Sequence, residues 1–133
     1  MKMPAIVALI FAVLATANIQ AEDIVVIVNP AAKPISKQQI ADLYLGRSAG
    51  LTPVDQPVGS AIYVEFYKKA TGRDIAQVKT LWSRILFTGR GLPPKQLPDS
   101  AAVKLAVAAN PNAVGYIEKS AVDASVKVAL PLD

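Results

Sequence analysis

The chain has 133 residues, with 14 lysines and arginines against 10 aspartates and glutamates for a net charge of +4, and it contains neither cysteine nor histidine. Without thiols the fold cannot be stapled by disulfides, and without imidazole neither a zinc site nor a Ser-His-Asp triad is available. The bulk of the cations are scattered singly, with no basic stripe interleaved with aromatics, so no nucleic-acid partner is expected.

Lys2 precedes an uncharged run from Ala5 to Ala17 in which only Thr16 is polar. A basic start, a short apolar core and a small-residue exit describe a secretory signal peptide, and the run is shorter than the roughly 20 residues of a spanning helix. Ala15-Thr16-Ala17 and Ile19-Gln20-Ala21 are the two candidate cleavage sites. Residues 1–21 are therefore expected to be removed on export. Residues 22–133, roughly 110 residues, suffice for one small domain and not for two.

Ile24-Val25-Val26-Ile27-Val28 is a continuous β-branched run, as expected of a strand covered on both faces, and Asn29-Pro30 ends it. Ser36 opens a helix with capping-box spacing to Gln39, an apolar stripe of Ile40, Leu43 and Tyr44, and a stop at Gly46. Leu51 to Asp55 reads as a short extended segment, with Pro53 suiting a sheet margin. The next helix starts at Ser60, is expected to bury Ile62, Phe66 and Ala70, and stops at Gly72. Asp74 caps a third helix, again with a glutamine three residues on (Gln77), whose apolar face comprises Ile75, Val78, Leu81, Trp82, Ile85 and Leu86.

Gly91 to Pro98 reads as a stiff loop. Ser100 begins an alanine-rich helix carrying Val103 and Val107, which Asn110-Pro111 terminates. Ala113 to Ile117 reads as a buried strand with Gly115 where something approaches closely, and Ser125 to Leu130 as a final, partly exposed strand. Strands separated by helices imply crossovers. The expected class is α/β, with a mostly parallel sheet and helices on both faces.

The most informative stretch is Asp55-Gln56-Pro57-Val58-Gly59-Ser60, running into the second helix. The first N–H groups of a helix have no internal partner and carry partial positive charge, so they suit an anion. Ser60 would offer its hydroxyl and N–H, with the N–H groups of Ala61 and Ile62 beside it. Serine after glycine is equally what a plain helix cap requires, and both readings stand.

Arg84 and Arg90, near a glycine-rich turn, are the guanidinium groups suited to a phosphate or carboxylate, or else ordinary surface residues. Trp82 suits the core better than a ligand platform. Asp55 reads as an exposed turn aspartate, with the option of favouring a protonated ligand. Tyr44, Tyr63, Tyr67 and Tyr116 are too dispersed for a nucleotide platform.

Val26 to Pro30, followed by Ser36 to Gly46, resembles the "VVNP … LT-x-EQL-x-DIFLGK" stretch of periplasmic phosphate-binding proteins, the type II substrate-binding proteins of phosphate ABC importers. The Gly59-Ser60 helix start, Trp82 ahead of its glycine-rich turn, and Asn110 to Ile117 (compare "PGAIGYV") follow in the family's order. The resemblance implies one periplasmic-binding-protein-like lobe where full members have two. It also implies a periplasmic, non-enzymatic protein without cofactor or metal, binding phosphate or a related oxyanion. Gly59 and Ser60 carry over from the family's Gly-Ser-Gly-Thr. Ala61-Ile62 replaces its Gly-Thr, and Gln56 stands where its arginine does. Gln56 and one of Arg84 or Arg90 are expected to assist. A transporter or sensor protein is the implied partner, and a lobe lacking its mate has reason to form a homodimer. The competing reading is a periplasmic interaction or sensory module that kept the lobe and lost high-affinity binding.

Overall fold

The structure, a computed structural model, describes residues 23–132. The expected signal peptide lies outside the described residues, among which no helix is long and apolar enough to cross a membrane. In chain order the elements are β1 (Ile24–Val28), α1 (Lys37–Tyr44), β2 (Thr52–Asp55), α2 (Ala61–Thr71), α3 (Ile75–Phe87), β3 (Lys95–Gln96), α4 (Ser100–Ala109), β4 (Ala113–Glu118) and β5 (Lys127–Leu132), with a 3-10 turn at Lys119–Ala121 before β5.

The five strands form one sheet in the order β3-β2-β4-β1-β5. The expected mostly parallel sheet is present, with β1 as the one reversed strand: β2, β3, β4 and β5 all run the same way. β2 runs parallel to β3 and β4, whereas β1 runs antiparallel to both β4 and β5. The crossover argument constrains strands joined through helices, but β1 pairs with the last two strands of the chain, where no single crossover sets direction. The two-residue β3 is not legible in the sequence. It lies in the proline-rich stretch and is held by pairing with β2 and by Leu97 N–H donating to the Asp55 carbonyl at 2.8 Å.

Every residue of β1 is buried, and its alternation divides the core. Ile24, Val26 and Val28 pack with Ile40, Leu43, Tyr44, Phe66, Val78 and Trp82 from α1, α2 and α3 on one face. Val25 and Ile27 pack with Val103 and Val107 of α4 on the other. Gly115 explains how α4 lies so close to β4. A Cβ there would stand 2.5 Å from Val103 Cγ1 and 3.2 Å from Val107 Cγ2, so the close approach expected at this glycine is that of α4. Asn29 completes the junction by donating from Nδ2 to the carbonyls of Val107 (3.2 Å) and Ala108 (3.0 Å) in the last turn of α4.

Caps form where the sequence places them. Ser36 and Asp74 make full capping boxes with Gln39 and Gln77, and Gly72 closes α2 in the left-handed conformation at φ 71°. Two helix faces differ from expectation. The buried face of α2 is Tyr63, Phe66, Tyr67 and Ala70, with Ile62 only half-buried, because the tyrosines turn toward a buried carboxylate. α3 fully buries only Val78 and Trp82 and leaves Leu86 exposed.

Register also fixes where the ends of the described span lie. Ile24 pairs with both Glu118 and Leu132. The start of β1 and the end of β5 are thus hydrogen-bonded neighbours, at the end of the sheet where β2 delivers Asp55.

Candidate functional site

β2 ends by turning Val54 toward α4 and Asp55 toward α2. Asp55 is not the exposed turn residue expected: it is 2 % exposed. Tyr67 donates from its hydroxyl to Oδ2 at 2.6 Å, Tyr116 donates to Oδ1 in a very short bond, and the Gln56 N–H donates to Oδ1 at 3.0 Å. The tyrosines that look dispersed in sequence converge here. The Tyr116 ring stacks on Phe66 at 3.7 Å, and Tyr44 meets Phe66, Tyr67 and Tyr116 edge-on. The Tyr44 hydroxyl donates to the Val54 and Val114 carbonyls and pins α1 to β2 and β4.

Burial pushes the Asp55 carboxyl up to about 6, against the hydrogen bonds from Tyr116, Tyr67 and the Gln56 N–H that pull it down. Burial first, and then the Asp55 charge, push the Tyr67 and Tyr116 hydroxyls well above the phenol range, so both remain donors.

Gln56 is also 2 % exposed. Its Nε2 donates to Ser100 Oγ at 2.9 Å and to the Tyr116 carbonyl at 3.2 Å, while Ser100 Oγ donates to Glu118 Oε2. The Gln56 amide group therefore ties β2 to the first residue of α4 and to β4. Beyond it the chain turns outward. Ser60 N–H donates to the Pro57 carbonyl at 3.0 Å, closing a β-turn whose third residue, Gly59, has φ 84°. Glycine meets that conformation without a Cβ penalty, and a Cβ at Gly59 would meet nothing within 4 Å, so the turn faces open space. Gln96 of β3 braces it by accepting from Val58 N–H at 3.3 Å.

Ser60 is the N-cap of α2, and its Oγ accepts from Tyr63 N–H at 3.3 Å. The cap reading of Ser60 thus holds, and its N–H, one of the donors expected to face an anion, is spent on the turn. Three backbone donors are left, beside the Ser60 O–H, which the cap bond from Tyr63 N–H does not use. Among the described residues no acceptor within the chain takes the N–H of Gly59, Ala61 or Ile62. They sit at the carboxyl end of β2 and the amino end of an 11-residue helix, where an anion gains from both hydrogen bonding and the helix field.

The structure brings Gln56, Gly59, Ser60, Ala61 and Ile62 together. It does not add Arg84 or Arg90, for which no contact to this corner exists among the described residues. Arg84 lines a shallow surface hollow on α3 with Arg73, Gln77 and Thr80, and Arg90 follows in the exit turn. Trp82 is a core residue, and its Nε1 has no acceptor among the described residues. A separate hollow of about 530 Å³ opens where β1 ends and β4 begins, among Val28, Ile35, Leu43, Leu51 and Asn112, with Lys33 its one charged lining residue. The Asp55–Tyr67–Tyr116 cluster and the Ser100–Glu118 pair escape a reading of the sequence. The signal available for the first is the strand alternation that sets Asp55 opposite Val54, on the face where α2 presents Tyr63 and Tyr67.

The fold has counterparts among solved structures. A phosphate ABC transporter substrate-binding protein of Clostridium perfringens, solved with bound phosphate, superposes with a TM-score of 0.62 at 24% identity, covering 80% of this chain and 44% of that one. This is the fold of a periplasmic-binding-protein lobe. An ABC-type phosphate transport receptor of Vibrio cholerae matches with a TM-score of 0.59 at 18% identity over 80% of this chain and 45% of its own. PstS of Borrelia burgdorferi matches at 0.52 and 14%, over 74% and 41%. The chain spans less than half the length of these substrate-binding proteins. No protein-family model and no curated protein matches the sequence at a significant level.

Proposed function

We propose that this chain is an exported, periplasmic, non-enzymatic solute-binding protein of the phosphate-transport type. It takes inorganic phosphate or a related small oxyanion at the start of α2. The observation carrying this reading is the set of unpaired N–H groups on Gly59, Ala61 and Ile62, at the carboxyl end of β2 in a fold shared with a phosphate-bound protein. Ser60 holds the helix start in place, and Gln56 positions the turn from behind through Ser100 and Tyr116. Residues 1–21 would direct export and be removed, leaving residues 22–133 as one domain. A membrane transporter or a sensor protein is the partner this role calls for, and a second copy of the chain could supply a facing wall.

Isothermal titration with phosphate, sulfate and small carboxylates tests the binding claim. Saturable heat with phosphate and a matching thermal shift are expected. No heat and no shift at millimolar phosphate would refute it. Sequencing the N-terminus of the exported protein tests cleavage after Ala17 or Ala21.

One observation favours a second reading, an interaction or sensory module that has given up tight binding. Ala61 and Ile62 contribute no side-chain donor, and the Gln56 amide group is committed inside the fold, so beside the backbone groups the corner offers one side-chain donor, the Ser60 hydroxyl. A dry oxyanion site needs more donors than that. Partner capture that survives Ser60→Ala and Ala61→Pro, with no phosphate heat in the parent protein, would favour this second reading.

A further inference from the structure

Away from the corner, the outer side of α3 and its exit loop carry a combination the solute-binding role does not use. From Ile75 to Pro98 the sequence holds Lys79, Arg84, Arg90 and Lys95 and no carboxylate. The two most exposed large apolar side chains of the described residues lie in the same stretch: Phe87 is 94 % exposed and Leu92 81 %, with Leu86, itself exposed, beside Phe87. Among the described residues no carboxylate pairs with any of the four cations.

The turn that presents these residues is fixed. Thr88 N–H donates to the Arg84 carbonyl, Gly89 N–H to that of Leu86 and Arg90 N–H to that of Ile85. Gly91 lies against Ile85, whose Cγ2 is 3.6 Å from where a Cβ would stand. Phe87 therefore projects from an ordered helix end. Because β3 runs parallel to β2, this loop enters β3 from the end of the sheet opposite the Ser60 corner, which leaves the anion site open.

We infer that the α3 exit turn docks on an anionic lipid surface, with Phe87 and Leu92 inserting at the headgroup boundary and Arg84, Arg90 and Lys79 meeting lipid phosphates. Charge complementarity selects the anionic partner. Lys79, Arg84 and Phe87 line one wide, open hollow, and Phe87 and Leu92 stand almost wholly in solvent, so cations and apolar anchors are presented together, as entry into a layer of anionic headgroups requires. Apolar anchors flanked by unpaired cations are the composition of interfacial binding elements. Attachment by so few groups is weak, reversible and sensitive to salt.

The lack of native cysteine allows a site-specific test. Phe87→Cys and Leu92→Cys, labelled with an environment-sensitive dye, are compared with the α1 control Lys37→Cys on vesicles of phosphatidylcholine with about 30% phosphatidylglycerol. The dye at positions 87 and 92 should shift to the blue and lose access to aqueous iodide. The control dye should not, and neither dye should respond to pure phosphatidylcholine. Arg84→Gln with Arg90→Gln should weaken partitioning on the order of 10-fold, and 0.5 M salt, an assay condition well above physiological ionic strength, should release the protein. Dyes at 87 and 92 that stay accessible to iodide on anionic vesicles would overturn the proposal. So would protection conferred by an acidic protein and not by lipid, which would make the turn a protein-docking site.

Discussion

Replacing Asp55 with asparagine should flatten the acid side of the stability profile. In the folded protein burial holds this carboxyl up to about 6, against 3.8 for an unburied one. A raised carboxyl pKa means that ionisation costs the folded state more than the unfolded one. The penalty is absent below pH 4, grows between about 4 and 6, and is complete above 6. At about 1.4 kcal/mol for each pH unit between the two values, the difference corresponds to roughly 3 kcal/mol, so the parent protein should gain about that much on acidification from pH 7 to pH 4. Asp123 is held well below the usual carboxylate range by Ser125 and Lys104, so any loss of its contribution falls below pH 4 and leaves this window clean. The asparagine of the variant cannot titrate. Its amide group faces one tyrosine hydroxyl with a donor where the carboxylate accepted, which costs about 1–3 kcal/mol independently of pH. Urea unfolding followed by circular dichroism at pH 4, 5, 6 and 7 measures both effects. A variant whose midpoint keeps the parent's pH slope would refute the assignment of that slope to Asp55.

Three further outcomes follow from the packing. Ala61→Pro removes one of the free N–H groups at the first position of α2, where proline is tolerated and Ser60 is already extended at ψ 152°. Phosphate affinity by calorimetry should fall on the order of 10-fold with little change in melting temperature, as loss of one hydrogen bond to a charged ligand predicts. Gly115→Ala drives a Cβ to 2.5 Å from Val103 Cγ1 and should destabilise the fold by about 1–3 kcal/mol in denaturant unfolding, with partial rescue by Val103→Ala. Tyr116→Phe removes a hydroxyl that donates to Asp55 and accepts from the Gln56 N–H, so the acid-side slope should extend to higher pH.

The parts of the fold that follow from local rules are readable along the chain. Capping boxes at Ser36 and Asp74, the buried run of β1 and the close approach at Gly115 depend on neighbours in sequence or on a simple period. Strand direction is not readable for β1, because its partners lie about ninety residues away and pairing across that distance leaves no local signature. The two residues of β3 are too few to show any period. At the corner, the cap role of Ser60 and the glycine turn are legible from residue type. The burial of Asp55 and Gln56 is not, since it rests on Tyr116 and Ser100, which tertiary contacts alone bring together. Chemistry alone groups Arg84 and Arg90 with the corner, but they stand at the end of α3 and in its exit turn.

The pairing of Ile24 with Leu132 has a practical meaning for engineering. A unit whose first and last strands are bonded side by side tolerates a new covalent order. A short linker from residue 132 to residue 24, with new termini opened in the exposed Ser48–Gly50 loop, would give a circular permutant with every sheet contact retained. The same geometry lets the unit be set into a surface loop of another protein, with both junctions at one end of the sheet.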